Sequence, residues 1–173
     1  MNKYIPKIYQ KSIYTIDYSK LLNIGIKCIL FDLDNTLIST DKNDEHIKAK
    51  KLIIGLKQKG FEVIIFSNSP RKKVRKYMKY FNIDGIYLAF KPLQRAFKKI
   101  LKRTGYQKSE MAIIGDQILT DVVGGNTFGI TTILVSPIND NDIFITKFNR
   151  KKESKIMSKL SLQNLFNKGE YYD

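Results

Sequence analysis

Eight polar residues stand where this sequence could do chemistry. Asp32 and Asp34 close the run KCILF as Asp-Leu-Asp, with Thr36 just beyond. Ser67 and Asn68 end EVIIF, Lys91 precedes Pro92, and Asp116 ends MAIIG, with Asp121 five residues later. If these residues meet, four carboxylates share one site, where like charges a few ångströms apart repel strongly. A divalent cation would resolve that repulsion. Oxygen donors with no histidine or cysteine nearby favour magnesium over zinc, and magnesium usually completes its shell with water and substrate phosphate. That combination points to phosphoryl chemistry. Taken alone, each residue also has a plain structural role: Asp-x-Asp after a strand is often a turn or helix cap, and Ser67 suits a strand-ending turn. Only the ordered set carries the signal.

The elements needed to position this set are legible as alternating patterns. Four short apolar, β-branched runs read as buried strands: 27–32, 62–67, 111–116 and 131–136, with a weaker one at 86–90. Between them lie helical spacings. Leu93, Ala96, Phe97, Ile100 and Leu101 form one apolar face over 92–103, with Pro92 at the first helical position. Asp44 or Asn43 caps a helix through about Lys57, and Pro70 starts another through about Tyr80. Alternating strands and helices imply an α/β fold, an open parallel sheet with helices on both faces. In such sheets the ligand site lies beyond the carboxyl ends of the strands, where all eight residues fall.

Asp32-Leu33-Asp34-Asn35-Thr36, Ser67, Lys91 and Gly115-Asp116 with Asp121 resemble the four ordered motifs of haloacid dehalogenase (HAD) superfamily phosphatases. The resemblance covers residues 27–136 and implies a HAD-like Rossmannoid fold and a hydrolase of phosphoric monoesters. It further implies that Asp32 is the nucleophile, forming an aspartyl-phosphate, and Asp34 the acid and then the base. Thr36, Ser67 and Asn68 would contact phosphoryl oxygens and Lys91 would neutralise their charge. Magnesium would be held by the Asp32 carboxylate, the Asp34 carbonyl and Asp116, with Asp121 in its shell or orienting metal waters or Lys91. GDQILTDVVGGNTFGITTILVSP, the N-terminal leader and IKCILFDLDNTLI are similar to the narrower YqeG-type group (subfamily IIIA), related to the mitochondrial phosphatidylglycerophosphate phosphatase. This similarity implies phosphatidylglycerophosphatase activity and a place in phospholipid metabolism.

HAD enzymes acting on small metabolites usually carry an inserted cap. The intervals from Thr36 to Ser67 and from Ser67 to Lys91 are each filled by an ordinary helix and strand, so no cap domain is expected. An uncapped site admits a phosphate on something large: a lipid headgroup, a nucleic acid or a protein. A soluble nucleotide or sugar phosphate is the alternative if oligomerisation supplies a lid.

The chain's bulk properties fit this picture. Its 173 residues suit one domain: an extension over 1–26 packed on a catalytic core at 27–136, with a loop over 137–155 and a short helix over 155–166 completing it. Apolar residues make up 43% of the sequence, which argues against disorder. Cys28, the single cysteine, reads as a small hydrophobe in a reducing interior. No apolar run approaches a membrane span and the leader has no signal-peptide core, so the expected address is cytoplasmic, with peripheral contact at the inner face of an anionic membrane. The net charge is +15, with denser patches at 71–79 and 91–108. These patches read either as solvated helix faces or as attractors of phosphate-rich partners. An RNA- or ribosome-associated binding protein is the rival reading, disfavoured because binding alone does not need Asp32, Asp34, Lys91 and Asp116 together. Gly124-Gly125 permits close packing, ends a helix or loosens a loop at the site, and His46 is expected on the surface near a helix start.

Overall fold

Strands that are apolar on both sides must be covered on both sides. In β2 (Cys28–Phe31), Ile29 and Phe31 point to one layer and Cys28 and Leu30 to the other, and all four are fully buried. The computed structural model describes residues 2–39, 43–139 and 144–173. Its six strands are all parallel, in the order β1-β6-β5-β2-β3-β4. Besides β2 they are β1 (Ile8–Gln10), β3 (Glu62–Phe66), β4 (Asp84–Ile86), β5 (Met111–Gly115) and β6 (Thr131–Val135). Helices α1 (Tyr18–Asn23), α2 (Asn43–Gln58) and α3 (Arg71–Phe81) cover the Ile29–Phe31 side through Leu21, Ile53, Leu56, Val74 and Phe81. On the opposite side lie α4 (Gln94–Thr104) and α5 (Val123–Phe128), where Phe97 packs on Phe66 with ring centroids 4.6 Å apart. Burying each such side chain stabilises the fold by about 1.5–3 kcal/mol. Burial also pushes the Cys28 thiol up to about 12, with the nearby Glu62 carboxylate adding to it, so the cysteine stays protonated in the core.

Several boundaries differ from those the sequence suggests. The weak strand lies at Asp84–Ile86, because the chain leaves the sheet after Ile86: Leu88 and Phe90 take left-handed φ of 48° and 52°. Hydrogen bonds from Leu88 N to Ser69 O and from Ala89 N to Ser67 O fold this segment back toward β3. Pro92 precedes α4 instead of opening it, since Leu93 N bonds to Phe90 O in a turn and Leu93 is the cap. The last helix, α6, spans Phe144–Leu162, beginning where a loop is expected and ending earlier. Asn43 is the first residue of α2 and Asp44 lies in its first turn, so both expected caps fall inside the helix, while the loop residues 140–143 lie outside the described residues.

The leader enters the sheet itself. Tyr9 pairs with Leu134 of β6 on one side and exchanges two 2.8 Å backbone bonds with Tyr172 on the other. The C-terminal tail thereby covers an otherwise open edge. Asp17 caps α1, its side chain accepting from Lys20 N at 2.9 Å. Gly125 permits close packing: a Cβ there would lie 2.5 Å from Thr132 Cγ2 and 2.6 Å from Ile113 Cγ2, while α5 ends only at Gly129. Gly125→Ala should therefore cost about 1–3 kcal/mol by urea unfolding; an unchanged midpoint would contradict this packing.

Candidate active site

The order of the sheet reverses between β2 and β5, so the chain diverges there and opens a crevice beyond the strand ends. Asp32 is the first residue past β2, fixed by its N–H donating to Ile114 O of β5 at 2.9 Å. Beyond it the loop 33–38 closes on itself. Leu37 and Ile38 N–H groups donate to Leu33 O, and Asn35 N donates to Ile38 O. Asn35 sits at φ 59°, a left-handed conformation that asparagine tolerates better than most residues.

Lys91 enters the crevice from the segment between β4 and α4, although its side chain is only 2% exposed. Its ammonium donates at 2.6 Å to Asp32 Oδ1 and at 2.6 Å to Asp121 Oδ1. The Asn68 side chain holds the Lys91 main chain on both sides: its amide donates to Lys91 O at 3.1 Å, and its oxygen accepts from Lys91 N at 2.7 Å. Asp121 lies on a π-helical turn, Ile118–Val122, and its Oδ2 accepts from Gln117 N at 3.2 Å. Gly115 makes room for this carboxylate, since a Cβ there would lie 2.2 Å from Asp121 Oδ2. Asp116 follows β5, and Thr36 donates its hydroxyl to Asp116 Oδ1 at 3.4 Å. The Ser67 hydroxyl accepts from Ser69 N at 3.1 Å. Asp34 is turned toward α3, where Ser69 and Lys73 donate to its two carboxylate oxygens.

Asp32, Asp116 and Asp121 each place one carboxylate oxygen within 4.8 Å of the others, and all three are buried. Burial raises Asp32 to about 7, with Asp121 and Asp34 adding to the rise and Lys91 opposing it. For Lys91, burial alone would lower the ammonium, but Asp121 and Asp32 outweigh it and hold it charged. A compact, buried set of hard oxygen donors fits a divalent cation.

Asp32, Thr36, Lys91, Asp116 and Asp121 thus meet through these contacts, whereas the Asp34 side chain lies outside the three-carboxylate cluster, held by partners that were not legible in the sequence. Ser69 is one hydroxyl in a turn, and Lys73 is hidden in a run of basic residues. Glu153 on α6 was also missed. Though 2% exposed, it accepts from Leu119 N at 2.9 Å, bracing the turn that carries Asp121. Its one signal was a lone acid within KKESK. His46 is half-buried near the start of α2, its ring near Tyr77 and its Nε2 3.0 Å from Ser39 O.

A profile described as haloacid dehalogenase-like hydrolase matches residues 29–91, and one described as HAD-hydrolase-like matches residues 89–137. The chain is 38% identical over 157 residues to the probable phosphatase YqeG of Bacillus subtilis (strain 168), covering 91% of both proteins. The chain belongs to the haloacid dehalogenase-like hydrolases. This HAD-type phosphatase is also 26% identical over 165 residues to the phosphatidylglycerophosphate phosphatase 1, chloroplastic/mitochondrial, of Arabidopsis thaliana, across 90% of its own length and 47% of the plant protein. Its fold matches the cobalt-bound form of the deoxy-D-mannose-octulosonate 8-phosphate phosphatase of Haemophilus influenzae. That match has a TM-score of 0.51 and 15% identity, covering 80% of this chain and 90% of the other. In this HAD phosphatase, Lys91→Met should leave Asp32 and Asp121 without their shared counter-charge and destabilise the fold by about 3–5 kcal/mol in urea melts at neutral pH with chelator present. A carboxyl raised on folding opposes stability above its unfolded value, so lowering the pH should recover part of that loss. A variant as stable as the parent would refute the counter-charge role.

Proposed function

We propose that the protein is a magnesium-dependent phosphomonoester hydrolase acting through an aspartyl-phosphate on Asp32, with phosphatidylglycerophosphate as its substrate. The observation that carries the reaction is the buried Lys91 ammonium beside the Asp32 carboxylate, with Asp116 and Asp121 within reach of the same small volume. An Asp32 oxygen attacks phosphorus as the bond from phosphorus to the ester oxygen breaks. The Asp34 carboxyl gives its proton to that oxygen, so the alcohol leaves neutral. Asp34, now a carboxylate, takes a proton from water as the water attacks the aspartyl-phosphate. The bond from Asp32 to phosphorus then breaks and inorganic phosphate departs.

Lys91, Thr36 and Ser67 orient the phosphoryl oxygens. Because the Asn68 side chain is engaged with Lys91, its own share of phosphate contact falls to its main-chain N–H. Magnesium, held by the Asp32 and Asp116 carboxylates and the Asp34 carbonyl with Asp121 alongside, would supply positive charge to the phosphoryl group.

Three features support the lipid substrate. One is the similarity to the plant phosphatidylglycerophosphate phosphatase. Another is that α2 and α3 account for the described segments between β2 and β4, so among the described residues no lid stands over the crevice. The third is a cleft of about 1160 Å³ that opens beside Asp116 between the end of β6 and α6, lined by Pro137, Met157, Leu162 and serines, with room for the glycerol linker. Among the described residues no helix is long and apolar enough to cross a membrane. The exposed lysines of α3 and α6 suit peripheral contact with an anionic bilayer from the cytoplasmic side.

The test is phosphate release from phosphatidylglycerophosphate in mixed micelles, set against soluble nucleotides, sugar phosphates and a phosphoprotein. Release should require magnesium, fall roughly 10⁴-fold or more in Asp32→Asn, and be far faster with the lipid. Activity surviving chelation or the substitution would remove the mechanism, and equal rates across the panel would remove the lipid.

A further inference from the structure

The Asp34 side chain is bonded by two donors from outside its own loop. Its side chain is 35% exposed at the mouth of the crevice, outside the buried carboxylate cluster. Ser69 Oγ donates to its Oδ2 and Lys73 Nζ to its Oδ1, so both oxygens are occupied. The two donors differ in freedom. Ser69 is held by its N–H donating to Ser67 Oγ at 3.1 Å and by its carbonyl accepting from Leu88 N at 3.1 Å. Pro70 follows with φ −62°, fixing the entry to α3. Lys73 instead reaches over on a flexible four-carbon stem, its side chain 29% exposed, from a helix whose backbone is pinned by buried Val74.

An oxygen that must pass a proton to the leaving group and later take one from water cannot keep an ammonium bonded to it throughout. With its main chain pinned, Ser69 keeps its hydroxyl within one short bond of Asp34, whereas the long Lys73 stem can carry its ammonium several ångströms away. An incoming phosphate dianion offers that ammonium a second partner.

We infer that Ser69 is the positioning residue of Asp34, anchoring Oδ2 so that Oδ1 is the proton-transfer oxygen, and that Lys73 covers Oδ1 until it moves onto the arriving phosphate, whereupon Oδ1 takes up from solvent the proton it then gives to the ester oxygen. This rests on the acid role given to Asp34 above. It assigns function to a serine and a lysine outside the four motifs.

Leaving-group dependence separates positioning from mere structure, because a poor alkoxide leaving group needs a well-placed proton and p-nitrophenolate does not. Ser69→Ala should lower kcat/KM for glycerol 3-phosphate about 10- to 100-fold but for p-nitrophenyl phosphate by no more than about threefold, and Ser69→Thr should abolish that selectivity by recovering the alkyl-ester rate. Lys73→Met should raise KM for both esters alike, about tenfold, without that selectivity. Equal losses on both esters in Ser69→Ala, or none, would overturn the anchor. A selective loss of alkyl-ester kcat in Lys73→Met would overturn the movable cover. Asp34→Asn is the control. If it lacks leaving-group selectivity, the acid role fails and this inference with it; if it is selective while Ser69→Ala is not, only the inference fails.

Discussion

One ammonium bonded to two buried carboxylates sets the terms for this site. Removing three charges from water costs several kcal/mol for each ion, and that cost is offset only where the partners meet at close range. At 2.6 Å from both Asp32 and Asp121, Lys91 meets the requirement. The three residues come from the end of β2, the approach to α4 and the turn after β5. Their bonds therefore lock together three segments that the hydrophobic core alone would leave as separate loops. Asn68, from the end of β3, completes the constraint by clamping the main chain on both sides of the lysine. The same apolar sheet that makes the charges costly lowers the local dielectric, which strengthens the pull between them.

The sheet was legible because its strands are buried on both faces and so appear as unbroken β-branched runs. β4 was the exception. Its few residues are followed by a segment as apolar as a strand, but Leu88 and Phe90 adopt left-handed φ there, and no residue type announces that. The leader was obscure for a related reason: β1 has only three residues and its pairing partners lie more than a hundred positions away. At the site, the aspartates and Lys91 could be found by their place after strands. The partners that orient Asp34 could not, since a single serine in a turn and one lysine among many carry no periodic or compositional mark.

The basic character of the chain also looks different in the folded protein. Lys91 and Lys73 belong to the two dense patches of the sequence, yet one is buried among carboxylates and the other bridges to Asp34. Arg103 pairs with Asp84 at 3.0 Å. Part of what reads as free charge in the sequence is thus paired, with Lys91 alone of these three buried, while other lysines on α3 and α6 stay exposed to solvent.

The wide turn after β5 carries a charged contact and an apolar one at once. A π turn closes with one residue more than an α turn, and on this one Asp121 reaches Lys91 while Ile118 and Val122 reach the apolar layer beneath α6. Each residue of a helix advances its side chain by about 100°. Because both contacts hang from one coil, a change in its pitch would turn the Asp121 carboxylate and the Ile118 and Val122 side chains together.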